Sequence, residues 1–141
     1  MGASKARLLV VIFVAQLLTS ILPVRSQTSP SLSSRIPKPD PNKYQAIRDG
    51  KDWQNPYLVV RPEGIEIYGI TPSAQGIPVE SVPDILEHLP GSAWPYGLVV
   101  VVSDVGVLSS RKDVPRINAN RSRLMKTLKR QGIAVELWPS A

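Results

Sequence analysis

The feature that most constrains the fold is an unbroken apolar run at residues 98–102, in which four of the five side chains are valine. A strand with one face in water alternates apolar and polar side chains, and this run does not alternate. β-branched side chains also favour a strand over a helix. The run therefore predicts a central strand that is covered on both faces, with the other elements arranged around it.

Two segments before this run have the pattern of a β-hairpin. Residues 57–61 are mostly apolar, and residues 65–68 alternate apolar and polar side chains. Between them, the sequence Pro62-Glu63-Gly64 has turn chemistry, because proline fixes φ and glycine allows a positive φ. Residues 77–79 can add only a short edge segment, since Pro78 cannot donate to a central ladder.

Two amphipathic helices are predicted, one on each side of the central strand in sequence. Residues 80–89 carry apolar side chains at helical spacing, and a second helix begins at Asn118 or Asn120, after a loop at 109–116, and ends near Gln131. Residues 133–138 form the last strand. The order β-β-α-β-α-β predicts an α+β (or α/β) two-layer fold, a mixed sheet of about four strands with two helices packed on it.

The first 26 residues have the pattern of a targeting segment. Lys5 and Arg7 precede an apolar run at 8–18, as in a secretory signal peptide, here cleaved after Ser26. The alternative is an uncleaved anchor at residues 8–24, which is at the lower limit for spanning a bilayer. A cleaved leader implies a periplasmic or secreted protein, and a retained one implies an inner-membrane anchor with the domain facing the periplasm. An exported protein that starts near Gln27 would rule out the anchor.

Residues 27–55 are rich in proline, serine and charge, which predicts a flexible linker that buries no core. Tyr44, Ile47 and Trp53 are the residues that could dock on the domain, and a turn of helix at 44–49 would end at Gly50. The predicted organisation is a signal peptide or anchor at 1–26, a linker at 27–55 and a small α/β domain at 56–141.

Positive charge is concentrated near the second helix. The formal net charge is +6, but residues 1–26 hold three basic residues and no acid, so the rest of the chain carries +3. Residues 111–130 contain eight basic side chains opposed only by Asp113. They are a solvated surface or a binding face for an anionic surface or an acidic envelope protein. Nucleic acid is not expected, because no aromatic side chains are interleaved with the charges. The candidate binding residues are Arg111, Lys112, Arg116, Arg121, Arg123, Lys126, Lys129 and Arg130.

Few residues offer catalytic chemistry. The chain has no cysteine and one histidine, His88, so no metal site or cofactor is predicted. Asp104 follows the central strand, where sites of open α/β sheets occur, but aspartate is also a common turn residue there. The hydroxyls near it lack a base, which argues against a serine hydrolase. No catalytic residue is assigned, and the sequence favours a non-enzymatic interaction domain. Trp53, Trp94 and Trp138 are expected to seal the ends of the core.

The order of elements resembles the periplasmic domain of the ExbD/TolR family, the membrane-anchored partners of proton-driven bacterial motors. The resemblance covers about 80 of the 141 residues and rests on the hairpin 58–68, the segment 77–80 that enters a helix, the strand 99–104 and the junction 128–133. It implies an alternative function as an accessory subunit of an envelope transport motor. The acid that carries the proton in that family has no counterpart at residues 8–22, so no functional residue is transferred.

The leading expectation is therefore an exported bacterial interaction domain that acts through the basic residues. A sheet of about four strands leaves two edges, and a homodimer could form by pairing at one of them.

Overall fold

The computed structural model describes residues 30–73, 75–106 and 109–140. The predicted signal peptide or anchor lies outside these ranges. Within them, no helix has both the length and the apolar character needed to cross a bilayer.

The centre of the fold is one mixed sheet with the strand order β2-β1-β3-β4. β1 pairs antiparallel with β2 and parallel with β3, and β3 pairs parallel with β4. The predicted fold class, an α+β arrangement with a mixed four-stranded sheet and two substantial helices, is confirmed. The strands are β1 (Tyr57–Arg61), β2 (Gly64–Ile67), β3 (Val99–Asp104) and β4 (Ala134–Leu137).

The helices are α1 (Leu32–Arg35), α2 (Val82–His88) and α3 (Val114–Arg130). α3 begins before Asn118, so the predicted loop at 109–116 is wrong over its last three residues. Pro115 is compatible with a helix start, because the first turn has no intrahelical use for its missing N–H. Ile117 is buried and extends the inner stripe of Leu124 and Leu128 by two turns.

One face of the sheet packs against α2 and α3. Side chains from the sheet and from both helices are fully buried there, including Leu58 and Val100 from the sheet, Leu86 from α2 and Leu124 from α3. Burial of such side chains contributes roughly 1.5–3 kcal/mol each before conformational entropy is counted. This face is the main hydrophobic core.

The other face of the sheet is covered over β3 by the segment that precedes β1, together with Tyr96 from the segment just before β3. Val99 and Val101 are fully buried there beneath Tyr44, Trp53 and Tyr96. The prediction of a strand covered on both faces is confirmed.

The expectation that residues 27–55 bury no core is wrong for the part of this segment that the structure describes. Leu32 and Ile36 belong to the helix-side core, and Tyr44 and Trp53 to the cluster on the other face. The predicted helical turn at 44–49 is also absent, and a short 3-10 turn lies just before it, at Pro41–Lys43. We call residues 30–56 the strap.

The strap is held by backbone contacts as well as by side chains. Leu98 N–H donates to Pro37 O (2.9 Å), and Asp40 N–H donates to Tyr96 O (3.0 Å). Gly97 has a φ of +84°, and a Cβ added there would lie 2.4 Å from Lys38 O. Glycine is therefore needed at the point where the strap passes the start of β3.

Candidate functional site

α3 places most of the predicted basic residues on its outer side. Ile117, Leu124 and Leu128 are buried in the core, and Arg116 and Arg130 are exposed, roughly 100° and 140° around the helix from this buried stripe. Arg123 and Arg130 follow Arg116 at intervals of seven residues, which is almost two helical turns each. This row is about 21 Å long at 1.5 Å per residue.

Two of the eight predicted basic residues are engaged in ion pairs. Arg121 pairs with Asp104 at the end of β3, and Arg123 pairs with Glu80 just before α2. The other six are exposed and have no ion-pair partner among residues 30–73, 75–106 and 109–140. We call these six the cationic face: Arg111, Lys112, Arg116, Lys126, Lys129 and Arg130.

Asp104 is a structural tie at the carboxyl end of β3. Its Oδ1 accepts from Gly106 N (2.8 Å) and from Ser140 Oγ (2.6 Å), and its Oδ2 accepts from Arg121. The carboxylate thus joins the strand end to α3 and to the C-terminal segment. The neighbouring Ser103 hydroxyl accepts a hydrogen bond from Tyr57 OH (3.0 Å).

His88 is exposed on the last turn of α2. Its Nδ1 lies 2.6 Å from the carbonyl oxygen of Asp84, to which it donates when that nitrogen carries the proton. This hydrogen bond, and then the negative charge of Asp84, raise the pKa of His88 above its usual 6.5. Over the part of the chain that the structure describes, no cluster of three or more His, Cys, Asp or Glu side chains could hold a metal ion.

The aromatic residues divide between the two cores. The Trp53 ring lies 5.0 Å from Tyr96, 5.6 Å from Trp138 and 5.7 Å from Tyr44 on the strap side of the sheet. Burial raises the pKa of Tyr44 above its usual value. Trp94 is buried in the helix-side core. All three tryptophans therefore pack against core residues.

Sequence reasoning did not identify a cavity on the strap side of the sheet. The strap covers β3 but leaves a space of about 370 Å³ over β1 and β2, which we call the sheet-face pocket. Its signal was present in the alternation of the two strands, which puts Tyr57, Val59 and Arg61 on one face together with Glu66. Six of its lining residues are Lys51, Tyr57, Val59, Arg61, Glu66 and Tyr68.

The two edges of the sheet differ. At the β2 edge, the backbone of Ile65 exchanges hydrogen bonds with Ile77 (both 2.8 Å), so the predicted edge segment at 77–79 pairs only at its first residue, and Val79 begins a 3-10 turn. At the other edge, Ala134 N–H and Trp138 N–H donate to β3. In a parallel ladder only every second residue directs its N–H and C=O toward the neighbouring strand, so the N–H and C=O of Leu137 face away from β3. The Leu137 side chain is 64% exposed. The β4 edge is therefore the more open one.

A comparison of the chain with family models, with curated proteins and with solved structures finds no match. The resemblance to the ExbD/TolR family stays a prediction.

Proposed function

We propose that this chain is a non-enzymatic interaction domain that binds an anionic surface through the cationic face. The observation that carries this proposal is the set of six exposed basic side chains on and just before α3, none of which is paired with an acid in the described ranges. Basic side chains near an anionic lipid surface each contribute about 1 kcal/mol to binding at physiological salt.

The packing of α3 decides how such a surface would be bound. Ile117, Leu124 and Leu128 are buried in the core, so the apolar stripe of α3 is not free to enter a bilayer as that of an interfacial helix does. Binding would be electrostatic and superficial, with the basic side chains against lipid headgroups. This mode predicts a strong dependence on salt, because charges in water are screened over about 8–10 Å at physiological ionic strength.

The composition of the outer side of α3 favours a headgroup surface over a protein partner. Centres of protein–protein interfaces are enriched in aromatic residues, methionine and arginine and depleted of lysine, and the face has no aromatic residue. Here the outward positions between Arg116 and Arg130 are occupied by small, polar or basic residues, with Ala119 and Ser122 as the small ones. An acidic envelope protein is the other partner that the test distinguishes.

Co-sedimentation with vesicles tests the proposal. The protein should pellet with vesicles that contain phosphatidylglycerol and not with pure phosphatidylcholine vesicles. Salt at about 0.5 M should release it, because the screening length falls from about 10 Å at 0.1 M to about 4 Å. In the double variant Lys126→Glu/Arg130→Glu, the vesicle affinity should fall about 30-fold or more, from two lost attractions of about 1 kcal/mol each.

A matched control carries the same change of charge elsewhere. Lys43 and Lys51 are exposed residues of the strap, on the other side of the sheet, and Lys43→Glu/Lys51→Glu should change the vesicle affinity far less. Equal losses in the two double variants would show a response to net charge alone and would refute a specific face. Failure to pellet with anionic vesicles, combined with binding to an acidic protein, would replace the lipid surface by a protein partner.

We also propose that copies of the chain pair through the β4 edge. The open backbone and the exposed Leu137 side chain support this choice, and the closure of the β2 edge by Ile77 disfavours the other edge.

A further inference from the structure

We propose that the sheet-face pocket is a binding site for a small molecule with a planar apolar body and one carboxylate group. The pocket brings two tyrosine rings on one side of Val59 together with an arginine whose guanidinium is held by a buried glutamate. It lies on the face of the sheet opposite α3, so it is separate from the cationic face, and each proposal can fail without the other.

The apolar part of the site is formed by a cross-strand aromatic pair. Tyr68 N–H donates to Tyr57 O (2.9 Å), and the two rings lie 6.2 Å apart at 73°. The Tyr57 ring is fixed by its hydroxyl, which donates to Ser103 Oγ. Tyr68 is 68% exposed, so an occupant could cover a large aromatic surface. A volume of about 370 Å³ lies within the range of small-molecule sites, which are mostly apolar with a few polar groups.

The polar part of the site is the guanidinium of Arg61. Its Nε donates to Glu66 Oε2 at 2.5 Å, and the Glu66 side chain is only 6% exposed, so the guanidinium is fixed by a buried partner. Neither Nη atom of Arg61 donates a hydrogen bond to any described residue. A guanidinium fixed through Nε keeps two parallel N–H groups, and this geometry matches a carboxylate.

The charged side chains around the pocket cancel in sum, Asp49 and Glu66 against Lys51 and Arg61, so their hydrogen bonds decide which of them are left for a ligand. Of the two acids that line it, Glu66 is occupied by Arg61, and Asp49 Oδ1 accepts from Lys51 N–H (2.9 Å). The ammonium of Lys51 has no ion-pair partner within the described ranges. The groups left for a ligand are therefore the Nη atoms of Arg61, this ammonium and the second oxygen of the Asp49 carboxylate, and the two cationic donors favour a carboxylate over an ammonium group.

Three probes with the same ring test this assignment: indole-3-acetate, indole-3-acetamide and tryptamine. They carry a negative, a neutral and a positive group respectively, and their binding to the full chain can be measured by ligand-observed NMR titration. A fragment of this size is expected to bind with a dissociation constant of about 1 mM. The carboxylate should bind about tenfold more tightly than the amide or the amine, because a hydrogen bond to a charged group is worth about that factor.

Variants locate the binding. Arg61→Lys keeps the positive charge but removes the two parallel N–H groups of the guanidinium. It should weaken the binding of indole-3-acetate about tenfold while changing the binding of indole-3-acetamide little. Tyr68→Ala removes an exposed wall and should weaken both probes. The control Ile70→Ala changes an exposed apolar residue that does not line the pocket, and it should leave both affinities unchanged.

Thermal unfolding of each variant shows whether it is folded, and Lys51→Gln, at an exposed position, replaces Arg61→Lys if that protein is unfolded. The proposal is overturned if the wild-type chain shows no saturable binding of indole-3-acetate up to about 10 mM, ten times the expected dissociation constant. It is also overturned if tryptamine binds as tightly as the carboxylate, or if the folded pocket variants bind like the wild type.

Discussion

Asn55 completes the ladder between β1 and β3 at a position where the backbone cannot. Val101 N–H donates to Pro56 O (3.2 Å), but Pro56 has no N–H with which to reach Val99 O, two residues earlier on β3. The side chain of Asn55 supplies the donor. Its Nδ2 lies 2.7 Å from both Val99 O and Gly97 O, and its Oδ1 accepts from Tyr96 N–H (3.0 Å). Asn55 is one of the few buried polar residues of the described chain.

Replacing Asn55 by alanine is expected to destabilise the fold strongly. The change removes three hydrogen bonds and leaves two carbonyls and one N–H without this partner in a buried region. An unsatisfied buried group costs about 1–3 kcal/mol, so we expect a loss of about 3 kcal/mol in the free energy of unfolding. Since small domains are stable by only about 5–15 kcal/mol, this is a large share of the total.

Urea unfolding followed by tryptophan fluorescence measures the loss. With a slope of about 1–3 kcal/mol per M urea, the midpoint for Asn55→Ala should fall by about 1–3 M with the slope unchanged. Asn42 is the matched control, an exposed asparagine of the same strap, and Asn42→Ala should change stability by less than about 0.5 kcal/mol. Equal, small shifts of the midpoint in the two variants would show that the strap is not part of the folded core, and would favour the flexible linker predicted from the sequence.

Three further predictions concern the strand end, the single histidine and the open edge. Asp104→Ala removes the acceptor of three donors and should lower the free energy of unfolding by about 1–3 kcal/mol, measured in urea. The pKa of His88 measured by NMR titration should lie above 6.5. Protonated His88 therefore stabilises the fold fully below the pKa of the unfolded chain, and this stabilisation is lost as the pH rises through the pKa of the folded protein. Asp84→Asn should lower the folded pKa without returning it to 6.5, because the backbone acceptor remains. Leu137→Lys should reduce self-association in sedimentation equilibrium, while Ile70→Lys, beyond the closed β2 edge, should leave it unchanged.

The strands and the positions of α2 and α3 could be predicted because their signals are local. The valine run of β3, the alternation of β2 and the turn after Arg61 each lie within a few residues, and the structure agrees with them, except that Gly64 is already the first residue of β2. The start of α3 is harder to predict from the sequence, because Pro115 fits a loop as well as the first turn of a helix. The burial of Ile117 settles the longer helix.

The sequence predicts that basic residues cluster near α3, but it does not predict which of them are free of ion pairs and form the cationic face. A charge count over residues 111–130 cannot show that Asp104 and Glu80, distant in sequence, would take Arg121 and Arg123 as partners. Such pairs depend on which strand end and which turn the helix crosses. Charge-reversal variants chosen from the sequence alone would therefore combine residues of the cationic face with Arg121 and Arg123, which are engaged in ion pairs.

The role of the strap follows from a conflict between two sequence expectations. The valine run predicts a strand covered on both faces, but two helices packed in a single layer cover only one face of a sheet. The second cover has to come from elsewhere in the chain. It comes from a segment without hydrophobic periodicity, in which Tyr44 and Trp53 bury Val99 and Val101 from isolated positions among polar residues and prolines. Because this cover reaches β3 but not all of β1 and β2, the segment that completes the core also forms one wall of the sheet-face pocket.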